Sequence, residues 1–234
     1  IKGIKLKISV IIPIYNEENT LLEILNRVNS QSTNEFSLEI IVIDDCSTDG
    51  SRKIMESNLD LVSNYIKLEK NGGKGKAVRE GLKKATGDYI LFQDGDLEYN
   101  PEDYNKIFKV IENFNADIII GSRFLSPEYT RVHYFFHKVG NKTITLIFNF
   151  LYNTTFTDIY SCYLCFKRSL ITPEKLKTNG WEQHAEILAK AVKNSTIHYE
   201  VPISYSGRSF EDGKKIKARH SLSVIYAILK YRLF

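Results

Sequence analysis

The first part of the chain alternates short apolar runs with stretches in which apolar residues recur at helical spacing. Lys7 to Ile14 and Leu38 to Ile43 are nearly continuous apolar, β-branched runs, which is typical of strands buried on both faces. Between them, apolar residues recur every three or four positions over Asn16 to Asn29, which predicts an amphipathic helix with Asn19 or Thr20 as its N-cap. The chain therefore opens as strand, helix, strand.

The same alternation continues to about residue 121. Further strands are predicted at Tyr65 to Leu68, Tyr89 to Gln93 and Ala116 to Gly121, and further helices at Lys74 to Thr86 and Pro101 to Asn113. Such alternation indicates an α/β protein with a mostly parallel central sheet flanked by helices. Ligands of these sheets bind beyond the carboxyl ends of the strands.

The remainder of the chain is patterned differently. Residues 131–152 and 221–234 carry aromatic and basic residues and predict two amphipathic helices, residues 196–205 predict a strand, and residues 207–219 form a basic loop. No repeat or low-complexity linker divides the 234 residues. We therefore expect a single domain over residues 1–234.

The composition is that of an ordinary globular protein. Hydrophobic residues make up 43% and charged residues 26%, which excludes a disordered, collagen-like or coiled-coil chain. The net charge of +4 does not require nucleic acid, and it suits an anionic substrate or an acidic membrane surface. Three cysteines are too few for a disulfide framework, and no apolar stretch reaches the roughly 20 residues that a membrane-spanning helix needs. We expect a reducing, cytoplasmic environment.

Acidic residues follow two of the predicted strands. Asp94-Gly95-Asp96 ends one apolar strand, with Glu98 two residues further on, and Asp44-Asp45 ends another. Carboxylates this close repel one another unless a cation lies between them, and Mg²⁺ usually takes one or two carboxylates and completes its shell with substrate phosphates. A polar turn that merely terminates the strand explains Asp94-Gly95-Asp96 alone equally well, and a turn or helix cap is the stronger explanation of Asp44-Asp45 alone. Because both acidic motifs should lie at the same edge of the sheet, we favour a cation-binding site over two unrelated turns.

An ordered set of motifs resembles the family-2 glycosyltransferases. It consists of Pro13-Ile14-Tyr15-Asn16-Glu17-Glu18, Ile43-Asp44-Asp45-Cys46-Ser47-Thr48-Asp49-Gly50, Asn71-Gly72-Gly73-Lys74-Gly75-Lys76 and Asp94-Gly95-Asp96. Gly121-Ser122-Arg123-Phe124, Thr157-Asp158 and the distal Tyr205-Ser206-Gly207-Arg208 are similar to the polyprenyl-phosphate hexose synthases, relatives of dolichyl-phosphate mannose synthase. The resemblance implies a GT-A nucleotide-diphospho-sugar transferase fold, with a nucleotide-sugar-binding half at about 1–122 and an acceptor-binding half at about 123–234.

The resemblance also implies roles for individual residues. The donor nucleotide would lie against Pro13, Tyr15, Glu17, Ile43, Asp45 and Gly95. Asp94, Asp96 and Glu98 would hold Mg²⁺ or Mn²⁺ together with the donor diphosphate. The acceptor phosphate and the departing diphosphate would meet Arg123, Arg131, Arg208, Lys214 and Lys215. Arg123 has a second interpretation as one half of a structural salt bridge. Glu186 either contacts the sugar, braces a basic residue or lies on a surface helix.

The implied reaction is inverting transfer of a hexose to a lipid phosphate. The donor would be of the GDP-mannose or UDP-glucose type, and Asp94, Asp96 and Arg123 would be the catalytic residues. The acceptor implies a peripheral position at the cytoplasmic face of a membrane, and residues 131–152 and 221–234 either lie in the interface or are ordinary core and surface helices. Two alternatives remain open: transfer to a saccharide hydroxyl, which would require an ionised base, and a non-catalytic sugar-nucleotide binder.

Overall fold

The computed structural model describes residues 5–125, 135–207 and 220–233. The strands are β1 (Leu6–Ile14), β2 (Phe36–Asp44), β3 (Asn64–Lys67), β4 (Tyr89–Phe92), β5 (Ile118–Ser122), β6 (Leu164–Lys167) and β7 (His198–Pro202). The helices are α1 (Leu21–Asn29), α2 (Ser51–Glu56), α3 (Lys74–Lys84), α4 (Tyr104–Phe114), α5 (Phe135–Tyr152), α6 (Gln183–Lys193) and α7 (His220–Leu233). Short 3₁₀ turns lie at Leu59–Leu61, Pro101–Asp103, Arg168–Leu170 and Pro173–Lys175.

Within the described residues the seven strands form one sheet in the order β3-β2-β1-β4-β6-β5-β7. All neighbouring strands are parallel except β6, which pairs antiparallel with both β4 and β5. The predicted α/β architecture with a mostly parallel sheet is therefore confirmed. Strand β6 was not predicted, and it brings a segment from late in the chain into the centre of the sheet.

The ends of β1, β2 and β4 are aligned by the strand register. Ile14 lies opposite Asp44, and Ile11 lies opposite Phe92. The apolar residues of β1 are buried because helices cover both faces of a parallel sheet. The polar residues that follow these three strands consequently emerge side by side at one edge.

Helix α1 begins at Leu21, directly after Thr20, one of the two predicted N-cap residues, so the residues from Asn16 to Asn19 precede the helix. Asn16 has a left-handed backbone (φ 53°), and the hydroxyls of Ser47 and Ser51 accept hydrogen bonds from the N–H groups of Asn16 and Glu17. Thr20 occupies the N-cap position but donates its hydroxyl to the Gly95 carbonyl (2.9 Å). The residues after β1 are thus fixed as a turn next to the end of β4 rather than as helix.

Helices α5 and α7 pack against each other and leave apolar side chains in solvent. Those exposed by more than half are Phe135, Phe136, Leu146, Phe150, Leu222, Tyr226 and Leu233. None of the helices in the described ranges combines the length and the apolar character that crossing a bilayer requires.

Candidate functional site

A cavity of about 600 Å³ opens at the carboxyl ends of β1, β2 and β4. Nine of the residues predicted from the sequence line it: Pro13, Tyr15, Glu17, Asp45, Asp94, Gly95, Asp96, Glu98 and Arg123. Arg131, Arg208, Lys214 and Lys215 lie outside the described residues. The opposite wall comes from the first residues of α6 and from one side of α5 and α7.

Ile43 does not line the cavity, contrary to the expectation that it contacts the nucleotide. Its side chain is completely buried and packs on α3, where a Cβ added to Gly81 would lie 2.5 Å from Ile43 Cδ1. Asp44 is also completely buried, because it pairs with Arg52 (2.5 Å) and accepts the Ser47 N–H (2.7 Å). Of this acidic strand end, only Asp45 reaches the cavity.

Asp45 shapes the glycine-rich loop before α3. Its two carboxylate oxygens accept the N–H groups of Gly72 (2.7 Å) and Gly73 (2.8 Å). Gly73 has φ 88°, and a Cβ there would lie 2.6 Å from the Asn179 carbonyl oxygen, so only glycine fits. Gly75 donates its N–H to the same carbonyl (2.7 Å). The loop therefore joins the end of β2 to the segment that leads into α6.

Lys74 is a cavity residue to which the sequence analysis gave no role. Its ammonium pairs with Asp94 and lies 5.2 Å from the centre of the Trp181 ring. Burial disfavours charge on both partners, but their mutual attraction outweighs it, so the pKa of Asp94 is lowered and the pKa of Lys74 is raised. Both are therefore charged at neutral pH. The only signal for Lys74 in the sequence was its place in the glycine-rich loop.

Asp96 and Glu98 belong to a tight turn after β4. Asp96 Oδ1 accepts the N–H of Glu98 (3.0 Å), while Glu98 Oε2 accepts the hydroxyl of Tyr205 (2.9 Å) and the Glu98 carbonyl accepts the Ser206 N–H (2.8 Å). Glu98 thereby ties the residues that precede the basic loop to the acidic turn. No three His, Cys, Asp or Glu side chains in the described ranges come together as a metal-binding group. The expected ligand trio of Asp94, Asp96 and Glu98 is thus not assembled.

The charge of the cavity fits a divalent cation nevertheless. Among the described lining residues, five are carboxylates (Glu17, Asp45, Asp94, Asp96 and Glu98), against one lysine and one arginine. The excess of carboxylates repels a diphosphate, and an added cation would offset that repulsion. Mg²⁺ usually takes only one or two carboxylate ligands from the protein and further ligands from substrate phosphates. The two carboxylates at the end of β4 match that number.

Arg123 forms a buried ion pair with Asp158, in agreement with its second interpretation as one half of a structural salt bridge. Arg123 Nε and Nη2 donate to the two oxygens of Asp158 (2.7 and 2.8 Å), and the Arg123 N–H also donates to Asp158 (3.1 Å). Nη2 further donates to the Tyr160 carbonyl (3.2 Å). No described residue accepts from Nη1, so that end of the guanidinium has two N–H groups with which to meet an anion in the cavity.

The turn that carries Asp158 is itself held from the neighbouring strand. Glu200 of β7 accepts hydrogen bonds from the N–H of Thr157 (2.9 Å) and the N–H of Asp158 (3.2 Å). The hydroxyl of Thr157 lies 2.6 Å from that of Ser122, at the end of β5. Arg123 is therefore positioned by a chain of contacts that runs to the edge of the sheet.

Glu186 braces a basic residue and does not contact the cavity. It is completely buried in α6, pairs with Lys190 (2.5 Å) and accepts the N–H groups of Lys177 and Thr178 (3.0 and 2.8 Å). Its neighbours Gln183 and His184 do line the cavity. Neither residue was predicted from the sequence, because polar residues are common in the first turn of any helix and carry no specific signal of a binding site.

Comparison with known proteins identifies the family. The profile of "Glycosyl transferase family 2" matches residues 9–172. The chain belongs to this family. Solved structures agree on the fold: glucosyl-3-phosphoglycerate synthase from Mycobacterium tuberculosis, crystallised with Mn²⁺, UDP and glucosyl-3-phosphoglycerate, is 16% identical, with a TM-score of 0.70 over 98% of this chain and 81% of that chain. TarS 1–349 from S. aureus with UDP-GlcNAc gives 0.65 at 21% identity, over 97% of this chain and 66% of that one. The predicted GT-A fold is confirmed.

The similar curated proteins are longer than this chain. The dolichol-phosphate mannosyltransferase of Pyrococcus furiosus (strain ATCC 43587 / DSM 3638 / JCM 8422 / Vc1) is 29% identical over 97% of the chain. The undecaprenyl-phosphate 4-deoxy-4-formamido-L-arabinose transferase of Proteus mirabilis (strain HI4320) is 29% identical over 89% of it. The chain spans 64% and 62% of their lengths.

Proposed function

We propose that this glycosyltransferase moves a hexose from a nucleotide-diphospho-sugar to a polyprenyl or dolichyl phosphate. The observation that carries the proposal is that one cavity is lined both by the acidic turn of Asp94 and Asp96 and by Arg123. The two curated relatives described above bear names that contain a prenyl-phosphate substrate, which supports the acceptor.

The donor is assigned to the side of the cavity formed by β1, β2 and β4. Tyr15 and Asp45 provide an aromatic ring and a carboxylate there for the nucleoside, and Asp94 and Asp96 are the residues that would hold Mg²⁺ or Mn²⁺. A divalent cation would neutralise the diphosphate and favour its departure. Lys74 adds a fixed positive charge beside Asp94.

The acceptor phosphate is assigned to Arg123. Asp158 and Tyr160 fix the guanidinium plane, so Nη1 is held in position to pair with a phosphate oxygen. A phosphate monoester carries about 1.5 to 2 negative charges at pH 7. It therefore needs orientation rather than a general base when its oxygen attacks the sugar C1, and the nucleoside diphosphate leaves from the opposite face.

The lipid part of the acceptor is assigned to α5 and α7. Phe136, Ile144 and Val224 of these helices line the same cavity as Arg123. Their outer surfaces expose Phe150 (86%) and Leu222 (74%), with basic residues Lys138, Lys142, Lys230 and Arg232 nearby in sequence. An apolar surface with basic residues fits the interface of an anionic membrane.

The transferase reaction is tested with labelled GDP-mannose and UDP-glucose, a short-chain polyprenyl phosphate, and either Mn²⁺ or a chelator. We expect a lipid-linked sugar that requires both the metal and the phosphate group. Asp96→Asn should abolish it, whereas Asp88→Asn, the same change at the exposed opposite end of β4, should not. Transfer to a polyprenol or a saccharide as efficient as to the phosphate would instead favour a hydroxyl acceptor, and binding without any turnover would favour the non-catalytic alternative.

The membrane assignment is tested by co-sedimentation with vesicles that contain phosphatidylglycerol. Phe150→Glu and Leu222→Glu should reduce binding, whereas Leu59→Glu, at a half-exposed apolar residue away from α5 and α7, should not. Equal binding by all four proteins would contradict the assignment.

A further inference from the structure

Three buried polar atoms in residues of the cavity wall have no hydrogen-bond partner in the described part of the chain. They are Ser161 Oγ, Gln183 Oε1 and His184 Nε2. Across the described part of the chain only five buried side-chain nitrogen or oxygen atoms are unpaired, so more than half of them belong to this one wall. Buried polar groups in folded proteins are nearly always paired. Their concentration here indicates that a bound molecule supplies the missing partners.

The wall that carries these atoms is held in a fixed position. The His184 ring meets Phe92 and Tyr160 edge-on, with centroids 6.3 and 6.0 Å away. The Tyr160 hydroxyl donates to the Trp181 carbonyl (3.0 Å), just before Gln183. The three residues line the cavity, while their unpaired atoms are inaccessible to water, so bulk solvent does not supply the missing hydrogen-bond partners.

The chemistry of the three atoms does not match a phosphate. The Ser161 hydroxyl can donate or accept, and Gln183 Oε1 can only accept. Burial, with the positive charge of Lys74 acting in the same direction, lowers the pKa of His184 to about 4, so its ring is neutral at pH 7. Neutral donors and acceptors leave an anion uncompensated, but they match hydroxyl groups, which both donate and accept.

We propose that Ser161, Gln183 and His184 form the subsite that binds the hydroxyl groups of the transferred sugar and selects which sugar is used. This inference rests on the proposed function, because the sugar arrives as part of the donor. A subsite that pairs its buried polar atoms with sugar hydroxyls rejects an analogue that lacks one, since the protein atom then stays unpaired. Selection of the base would remain with the residues that follow β1 and β2.

The test compares ligands with and without the sugar. Dissociation constants are measured by calorimetry in Mn²⁺ for GDP and UDP, and for GDP-mannose, UDP-glucose and UDP-GlcNAc. The variants Gln183→Met and His184→Phe keep the side-chain volume and remove the polar atom. We expect unchanged affinity for the sugar-free diphosphate and about tenfold weaker binding of the nucleotide sugar that the wild type prefers.

A matched control removes another unpaired buried oxygen away from the cavity. Tyr65→Phe should change neither affinity, because Tyr65 is not part of the wall. Variants that lose affinity for diphosphate and nucleotide sugar equally, or for neither, would overturn the subsite. A wild-type protein that binds no nucleotide at all would overturn the proposed function and the subsite with it, so the two failures are distinguishable.

Discussion

Replacing Asp158 by Asn tests whether the ion pair behind the cavity is as buried as its geometry indicates. Asp158 is completely buried, and the Arg123 side chain is 10% exposed. The carboxylate accepts three N–H groups from Arg123. Asn presents one oxygen and one NH₂ group, so a donor must face a donor, and the guanidinium loses its counter-charge while it stays buried.

The expected loss is large. Removing one partner of a buried ion pair costs about 3–5 kcal/mol. For a domain of this size, each kcal/mol lowers the melting temperature by about 2–4 °C, so the fall should be roughly 10 °C. Equilibrium urea unfolding and calorimetry measure the two quantities. Asp88→Asn, at an exposed Asp whose side chain accepts the Lys7 N–H (2.9 Å), should cost about 1 kcal/mol or less.

A double variant separates charge from shape. Arg123→Met combined with Asp158→Leu removes both charges, and it should lose much less stability than the sum of the two single changes. A loss below about 1 kcal/mol in Asp158→Asn alone would refute the reasoning, because it would mean that solvent already screens the pair.

Three further predictions concern other parts of the fold. Burial disfavours the charged form of Glu39, but hydrogen bonds from Lys7, Ser9 and Thr86 outweigh it and lower the pKa of Glu39 from 4.5 to about 2. The ionised carboxylate therefore adds roughly 3 kcal/mol to the free energy of unfolding above pH 5, and this contribution is lost as the pH falls towards 2. In Glu39→Gln, the stability measured against pH should fall less steeply at acid pH. Gly75→Ala should lower the melting temperature, since its Cβ would lie 2.7 Å from a backbone carbon of the segment before α6, while Gly140→Ala, with open space around it, should be neutral or stabilising in the same thermal scan. Glu98→Gln should not change the Mn²⁺ concentration for half-maximal activity, because Gln can still accept the Tyr205 hydroxyl; a several-fold rise would make Glu98 a metal ligand.

Strong local patterns made most of the sheet predictable. β1, β2 and β4 are long or wholly apolar runs between turn residues, and their predicted bounds agree with the structure to within two residues. β6 was missed because its four residues, Leu164–Lys167, have no alternation and follow no turn signal of their own. Its strand conformation is imposed by pairing with β4 and β5 on both sides.

The site residues that directly follow a strand could be predicted from the sequence. Those whose position depends on packing between helices could not. Asp45, Asp94 and Asp96 could be placed because the carboxyl ends of parallel strands meet at one edge. The pairing of Lys74 with Asp94 and the burial of Gln183 at the cavity arise only when α3 and α6 pack together. The direction of Ile43, into the core instead of the cavity, likewise depends on its contact with α3.

The antiparallel strand in the middle of the sheet has a consequence for how the chain is made. Among the described strands β5 pairs with β6 and β7, so Ile118–Ser122 has no sheet neighbour until β6, which ends at Lys167, has been synthesised. β1 to β4 pair among themselves, so these four strands can form a sheet before the later strands are synthesised. A nascent chain can thus form the part of the cavity at the ends of β1, β2 and β4 early, while the edge of β4 that later receives β6 remains open to solvent and chaperones. Synthesis of the residues from β6 to β7 is therefore the event that closes the sheet, and α6, which lies between these two strands in the chain, then adds its residues to the cavity wall.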